Sequence, residues 1–117
     1  MYFKFTELIR TDTGLPNIPV EMEHIENLVF LADFLDEIRQ EYGAPIVVNS
    51  AYRTNDVNKA VRGVPKSLHL YGRAADIRPC SSNTYQQNLD KLISVISAYN
   101  DRLSEFIIYP TFVHIAI

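Results

Sequence analysis

The chain has 117 residues, 47% of them hydrophobic and 21% charged, with four Gly, six Pro, one Cys and no Trp. That composition describes one small compact domain over residues 1–117 and excludes a disordered, fibrous or low-complexity chain. A net charge of -3, from 11 basic and 14 acidic residues spread along the chain, gives no footprint for nucleic acid or anionic lipid, and the lone Cys80 supplies neither an internal disulfide nor a Cys-based zinc site.

Met1 to Arg10 is interrupted by Lys4, Glu7 and Arg10 and lacks a small-residue cleavage site, so no Sec leader is expected. No apolar run approaches the roughly 20 residues that cross a bilayer. The expectation is cytoplasmic synthesis without membrane insertion, any work outside the membrane needing another route out. Residues 1–19 carry Gly14, Pro16 and Pro19 without periodicity and read as an ordered loop with a short turn.

From Val20 to Tyr42, Met22, Ile25, Leu28, Val29, Ala32, Leu35, Ile38 and Tyr42 recur every three or four residues, one apolar stripe on a long helix. Glu21, Glu23 and Glu26 suit its N-terminal dipole, and Gly43 can take the left-handed conformation that ends it. Ile46-Val47-Val48 is a β-branched run that delivers Asn49, Ser50 and Arg53 to its far end, after which Thr54 or Asn55 can cap a brief helix through Val61. Ala74 to Arg78 reads as a strand. Ser82 or Asn83 then caps a second amphipathic helix with Leu89, Leu92, Ile93 and Ile96 on its buried stripe, ending near Asn100. Two strands, Glu105 to Tyr109 and Phe112 to Ile117, close the chain as a hairpin around Pro110-Thr111. The fold class expected from this order is α+β.

The stretch from Ser67 to Asp76 is the richest in chemistry, because Gly72 lets the chain turn sharply between His69 and Asp76, two residue types that bind zinc. Alternation puts Ala74, Asp76 and Arg78 on one strand face, and the alanines leave room for a metal or substrate. His114, between Phe112 and Ala116 on the last strand, offers a third ligand, with Val113, Ile115 and Ile117 facing the core. A single histidine in such a strand is more often structural. His24, on a helix among glutamates, reads as a solvated surface residue.

The pattern Ser67-x-His69-x-x-Gly72-x-Ala74-x-Asp76, followed by the aromatic-Val-His of Phe112-Val113-His114, resembles the M15 family of zinc peptidases, the D-alanyl-D-alanine carboxypeptidase and murein endopeptidase group. Val47 to Arg53 is similar to that family's strand ending in Ser-Gly-Tyr-Arg, residues 58–65 to its following helix and loop, and Phe5 to Pro19 to the lead-in of its small phage and Bacteroides-type members. The resemblance implies a small, mainly antiparallel sheet with two main helices and a short one, the hedgehog/DD-peptidase-like fold. It implies one zinc ion on His69, Asp76 and His114, a fourth position open to water, and hydrolysis of peptidoglycan stem peptides as a D,D- or L,D-carboxypeptidase or endopeptidase.

On the same resemblance Arg53 engages substrate, with a peptide's terminal carboxylate as the group that suits its fork, and Ser67 bonds within its loop or to substrate. Tyr109 stands where active members place the Glu that takes a proton from the zinc-bound water, and a phenol, with an ordinary pKa of about 10, is a poor base at neutral pH. Tyr109 can instead hold the water or an oxyanion by hydrogen bonding. Glu105 shares its strand face and is a candidate base under a shifted register, although it lies about 13 Å further along at roughly 3.3 Å per residue; otherwise it is an exposed edge glutamate. The alternative is a catalytically impaired zinc-binding module that recognises cell-wall peptide or another partner. Phage-type release to the wall is a family-level expectation.

Overall fold

A computed structural model describes residues 1–117. Four helices, α1 (Phe5–Leu8), α2 (Met22–Tyr42), α3 (Asn55–Ala60) and α4 (Tyr85–Ser97), accompany four strands, β1 (Ile46–Ser50), β2 (Ala74–Pro79), β3 (Glu105–Ile108) and β4 (Val113–Ala116). Single 3₁₀ turns cover Leu68–Tyr71 and Asn100–Arg102. The class is α+β, as the order of sequence patterns implied. The strands form one sheet in the order β1-β2-β4-β3, antiparallel throughout.

Alternation along the strands divides the sheet into two faces. Ala75 and Ile77 of β2 and Val113 and Ile115 of β4 join Leu28, Leu31, Phe34, Leu35 and Ile38 of α2 and Leu89, Leu92 and Ile96 of α4 in one apolar core. Both long helices therefore cover this face. Asp76 and His114, directly opposite each other across β2 and β4, belong to the other face.

Three local expectations need correction. Residues 1–19 are not wholly loop: Lys4 N–H donates to Glu7 Oε1 at 3.0 Å and closes α1, whose Leu8 is buried. Four residues are too few to register as a period. The stripe of α2 is rotated from the expected one, with Met22 and Val29 exposed and Leu31 and Phe34 buried, because Leu28-Val-Phe-Leu31 offers apolar residues on several sides and packing against α4 chooses among them. Helix α4 stops at Ser97, and the chain reaches β3 through the second 3₁₀ turn.

Candidate metal centre

His69 sits on the first 3₁₀ turn, which begins where Ser67 Oγ accepts from the His69 N–H at 3.2 Å and ends at Gly72 in the left-handed region. A Cβ at Gly72 would lie 2.7 Å from the His24 carbonyl oxygen and 3.0 Å from Leu28 Cγ, so only glycine lets this turn rest on α2. The His69 ring is 2% exposed, and its Nδ1 lies 2.6 Å from the Ala51 carbonyl oxygen. A carbonyl can only accept, so Nδ1 carries the proton and Nε2 of the neutral ring presents its lone pair. That lone pair points at Asp76 Oδ1, 3.3 Å away.

Two acceptor atoms facing each other at that distance suit a shared proton or a cation. His114 Nδ1 approaches the same Oδ1 at 2.8 Å, and the ligand atoms of His69, Asp76 and His114 all lie within 4.8 Å of one another. Two imidazole nitrogens and one carboxylate oxygen form a donor set suited to zinc, with each side chain already oriented. The residues therefore fit a divalent cation.

Electrostatics follow from the same contacts. Burial works against ionisation of Asp76, yet its contacts with the His114 and His69 rings outweigh it and hold the carboxyl well below the usual carboxylate range. Burial also penalises charge on His114, but bonds to Asp76 and Glu105 prevail and push its imidazole above its ordinary value. For Arg53 the order reverses: burial lowers the guanidinium despite the opposing attraction of Asp76.

Arg53 leaves the end of β1 and is held on three sides, by Nε to Ser50 Oγ at 3.0 Å, Nη1 to Asn58 Oδ1 at 3.2 Å and Nη2 to Asp76 Oδ2 at 3.4 Å. Its backbone N–H donates to the His69 carbonyl at 3.0 Å, which ties it to the ligand turn. Arg53, His69, Asp76 and His114 line a cleft of about 410 Å³ together with Ile107, Tyr109 and Phe112 and the exposed Arg62 and Lys66. Tyr109 is 40% exposed and stacks on Phe112 with ring centroids 4.6 Å apart.

Glu105 is no bare edge glutamate. Register pairs Ile107 with His114, and one pleat along the strand Glu105 Oε1 lies 2.8 Å from His114 Nε2. The diagonal reach across an antiparallel pair, about 7–8 Å between backbones, is within a glutamate's length.

A family model for Peptidase M15 matches residues 1–116. The chain belongs to the peptidase M15 family. A search of curated proteins found no match.

The motif residues of this M15 chain lie together in space, while other contacts at the site lacked a readable signal. Asn17 is buried, donates through Nδ2 to the Ile9 and Tyr52 carbonyls and accepts from the Thr54 N–H, so it straps the lead-in of the M15 chain to the segment that bears Arg53. Its place between Pro16 and Pro19 suggested only a loop. His24 is also corrected: its ring packs between Tyr52 and Tyr71, centroids 5.9 and 5.7 Å away, and its Nδ1 is shielded from solvent. Neighbouring glutamates concealed this, because the rings that enclose His24 come from Tyr52 and Tyr71, far along the chain.

Proposed function

We propose that this M15 chain is a zinc-dependent peptidase acting on peptidoglycan stem peptides, with His69, Asp76 and His114 as the metal ligands. The observation that carries the proposal is the convergence of those three ligand atoms within 4.8 Å in a cleft that Arg53 also lines. Zinc in such a site supplies Lewis acidity and makes its bound water a nucleophile near neutral pH.

The protein's own residues bind and orient. Three N–H groups of Arg53 are engaged by Ser50, Asn58 and Asp76, which fixes the guanidinium plane and leaves its other donors for a peptide carboxylate. Arg62 and Lys66 add positive charge to the cleft lining, and Ile107 and Phe112 give it apolar surface for a side chain. Ser67 acts through its turn, which it caps. Tyr109 would offer its phenolic O–H to the carbonyl oxygen, where negative charge develops as water adds and from which it is withdrawn when the C–N bond breaks, the water's OH ending on the carbonyl carbon and its proton on the leaving amine. Incubation of the zinc-loaded protein with purified muropeptides should give a shorter peptide by mass spectrometry, absent after chelation; no product over a long digestion would reject hydrolysis.

A second reading, a zinc-bearing module that binds cell-wall peptide without cutting it, draws on Tyr109 and on the cleft's acids, which are Asp76 and Glu105 alone, the latter already engaged by His114. Under it Tyr109→Glu creates hydrolysis where the natural protein has none. Turnover by the natural protein that disappears in His114→Ala would dismiss this second reading.

A further inference from the structure

We infer that Glu105 is the positioning residue for His114, an outer carboxylate that holds the imidazole by Nε2 so that Nδ1 is presented to the metal. This rests on the zinc reading above and adds a role for a residue that the ligand motif does not contain. Three observations carry it.

The first is the division of labour on the His114 ring. Nδ1 faces Asp76 Oδ1 at 2.8 Å, on the side where His69 also converges, while Nε2 faces Glu105 Oε1 at 2.8 Å on the opposite side. Both neighbours are carboxylates and only accept, so the contacts alone allow a proton on either nitrogen; what separates them is that Nε2 faces Glu105 alone, whereas Nδ1 faces the side where Asp76 and His69 converge and is the nitrogen placed to bind a cation there. The second is the parallel at His69, where the non-ligating nitrogen donates to the Ala51 carbonyl. Each histidine thus has one nitrogen at the cluster and the other tied to a fixed acceptor, the arrangement by which proteins set the tautomer and orientation of metal-bound imidazole. The third is place. Glu105 sits on the edge strand next to His114, and its Oε1 is engaged by the ring on the side away from Asp76.

The test measures zinc affinity by competition with a chromogenic chelator for the natural protein, Glu105→Gln, Glu105→Ala and His114→Ala, and steady-state kinetics on a muropeptide for the first three. Glu105→Ala should weaken zinc binding about 10- to 100-fold, and Glu105→Gln, which keeps an acceptor oxygen, should recover part of that loss. With saturating zinc, kcat of Glu105→Ala should return to within a fewfold of the natural value. Unchanged zinc affinity in Glu105→Ala overturns the positioning role, and if kcat is nevertheless lost at saturating zinc, Glu105 is the general base instead. Failure of the natural protein itself to bind zinc stoichiometrically, or no effect of His114→Ala, would overturn the metal site as a whole and is distinguishable from both. Glu105 is partly exposed on an edge strand, so these variants should keep the natural circular dichroism spectrum; if Glu105→Ala does not, Glu105→Gln, with a shape close to glutamate, decides, and full affinity in it then rejects the need for a carboxylate.

Discussion

The two histidines of the centre are held by different means. On the turn side, His69 is fixed by main chain: Gly72 lets the 3₁₀ turn rest on α2, Ser67 caps the turn, and the Ala51 carbonyl takes the ring proton. On the hairpin side, His114 is fixed by a neighbouring side chain, Glu105, from a strand with only one partner. Asp76 lies between and touches both rings. A ligand held by backbone tolerates changes in nearby side chains as long as the chain path survives, whereas a ligand held by one carboxylate depends on that residue's identity.

The largest effect should come from removing what both halves share. Asp76→Ala takes away the carboxylate that touches His69, His114 and Arg53, and elemental analysis after dialysis should find no stoichiometric zinc in it. Next, the turn side should break through its backbone. Gly72→Ala places a side chain at φ +73° and against the His24 carbonyl, and thermal unfolding should show a loss of about 1–3 kcal/mol. A stability equal to the natural protein's would mean that the turn does not depend on this close approach.

A smaller change is expected from Gly63→Ala. Its new Cβ would collide with Asn58 Oδ1 and come within 2.9 Å of Arg53 Nη1, displacing the pair that orients the guanidinium. Loss of one such bond should raise KM about tenfold on a peptide with a free carboxylate and leave kcat and zinc content nearly unchanged. The smallest effect sharpens the contrast most: Ala51→Gly keeps the carbonyl that holds His69, so zinc affinity should stay within about twofold while stability falls by about 0.5–1 kcal/mol. A tenfold fall in affinity would show that the turn side, too, relies on side-chain packing.

The same contrast explains what could be read from the sequence. His69, Asp76, His114 and Arg53 were legible as a set through the likeness of their motifs to the M15 pattern; taken singly, each histidine read as structural, and only Gly72 and the alternation of β2 hinted that His69 and Asp76 meet. The boundaries of α2 were legible from its acidic start and Gly43, its rotation was not, since the apolar run at 28–31 serves several rotations equally. The acceptor on His69 is a carbonyl, which every residue possesses, and so left no trace at Ala51. Glu105 was visible as a carboxylate on the right face, but its distance from Tyr109 along the strand was the wrong measure. Its relation to His114 depends on register across strands, which a linear count does not contain.

Strand β3 pairs with β4 alone, and Ile107 and Ile108 remain substantially exposed, while β4 is flanked on both sides and buries Val113 and Ile115 completely. Local opening should therefore begin at β3, drawing Glu105 away while His114 stays in place between its neighbours. This gives the centre a kinetic property as well as an affinity. The lifetime of a bound ion should follow how often the outer strand peels back, and amide exchange at Ile107 and Tyr109, whose N–H groups face β4, should report the same rhythm as metal release.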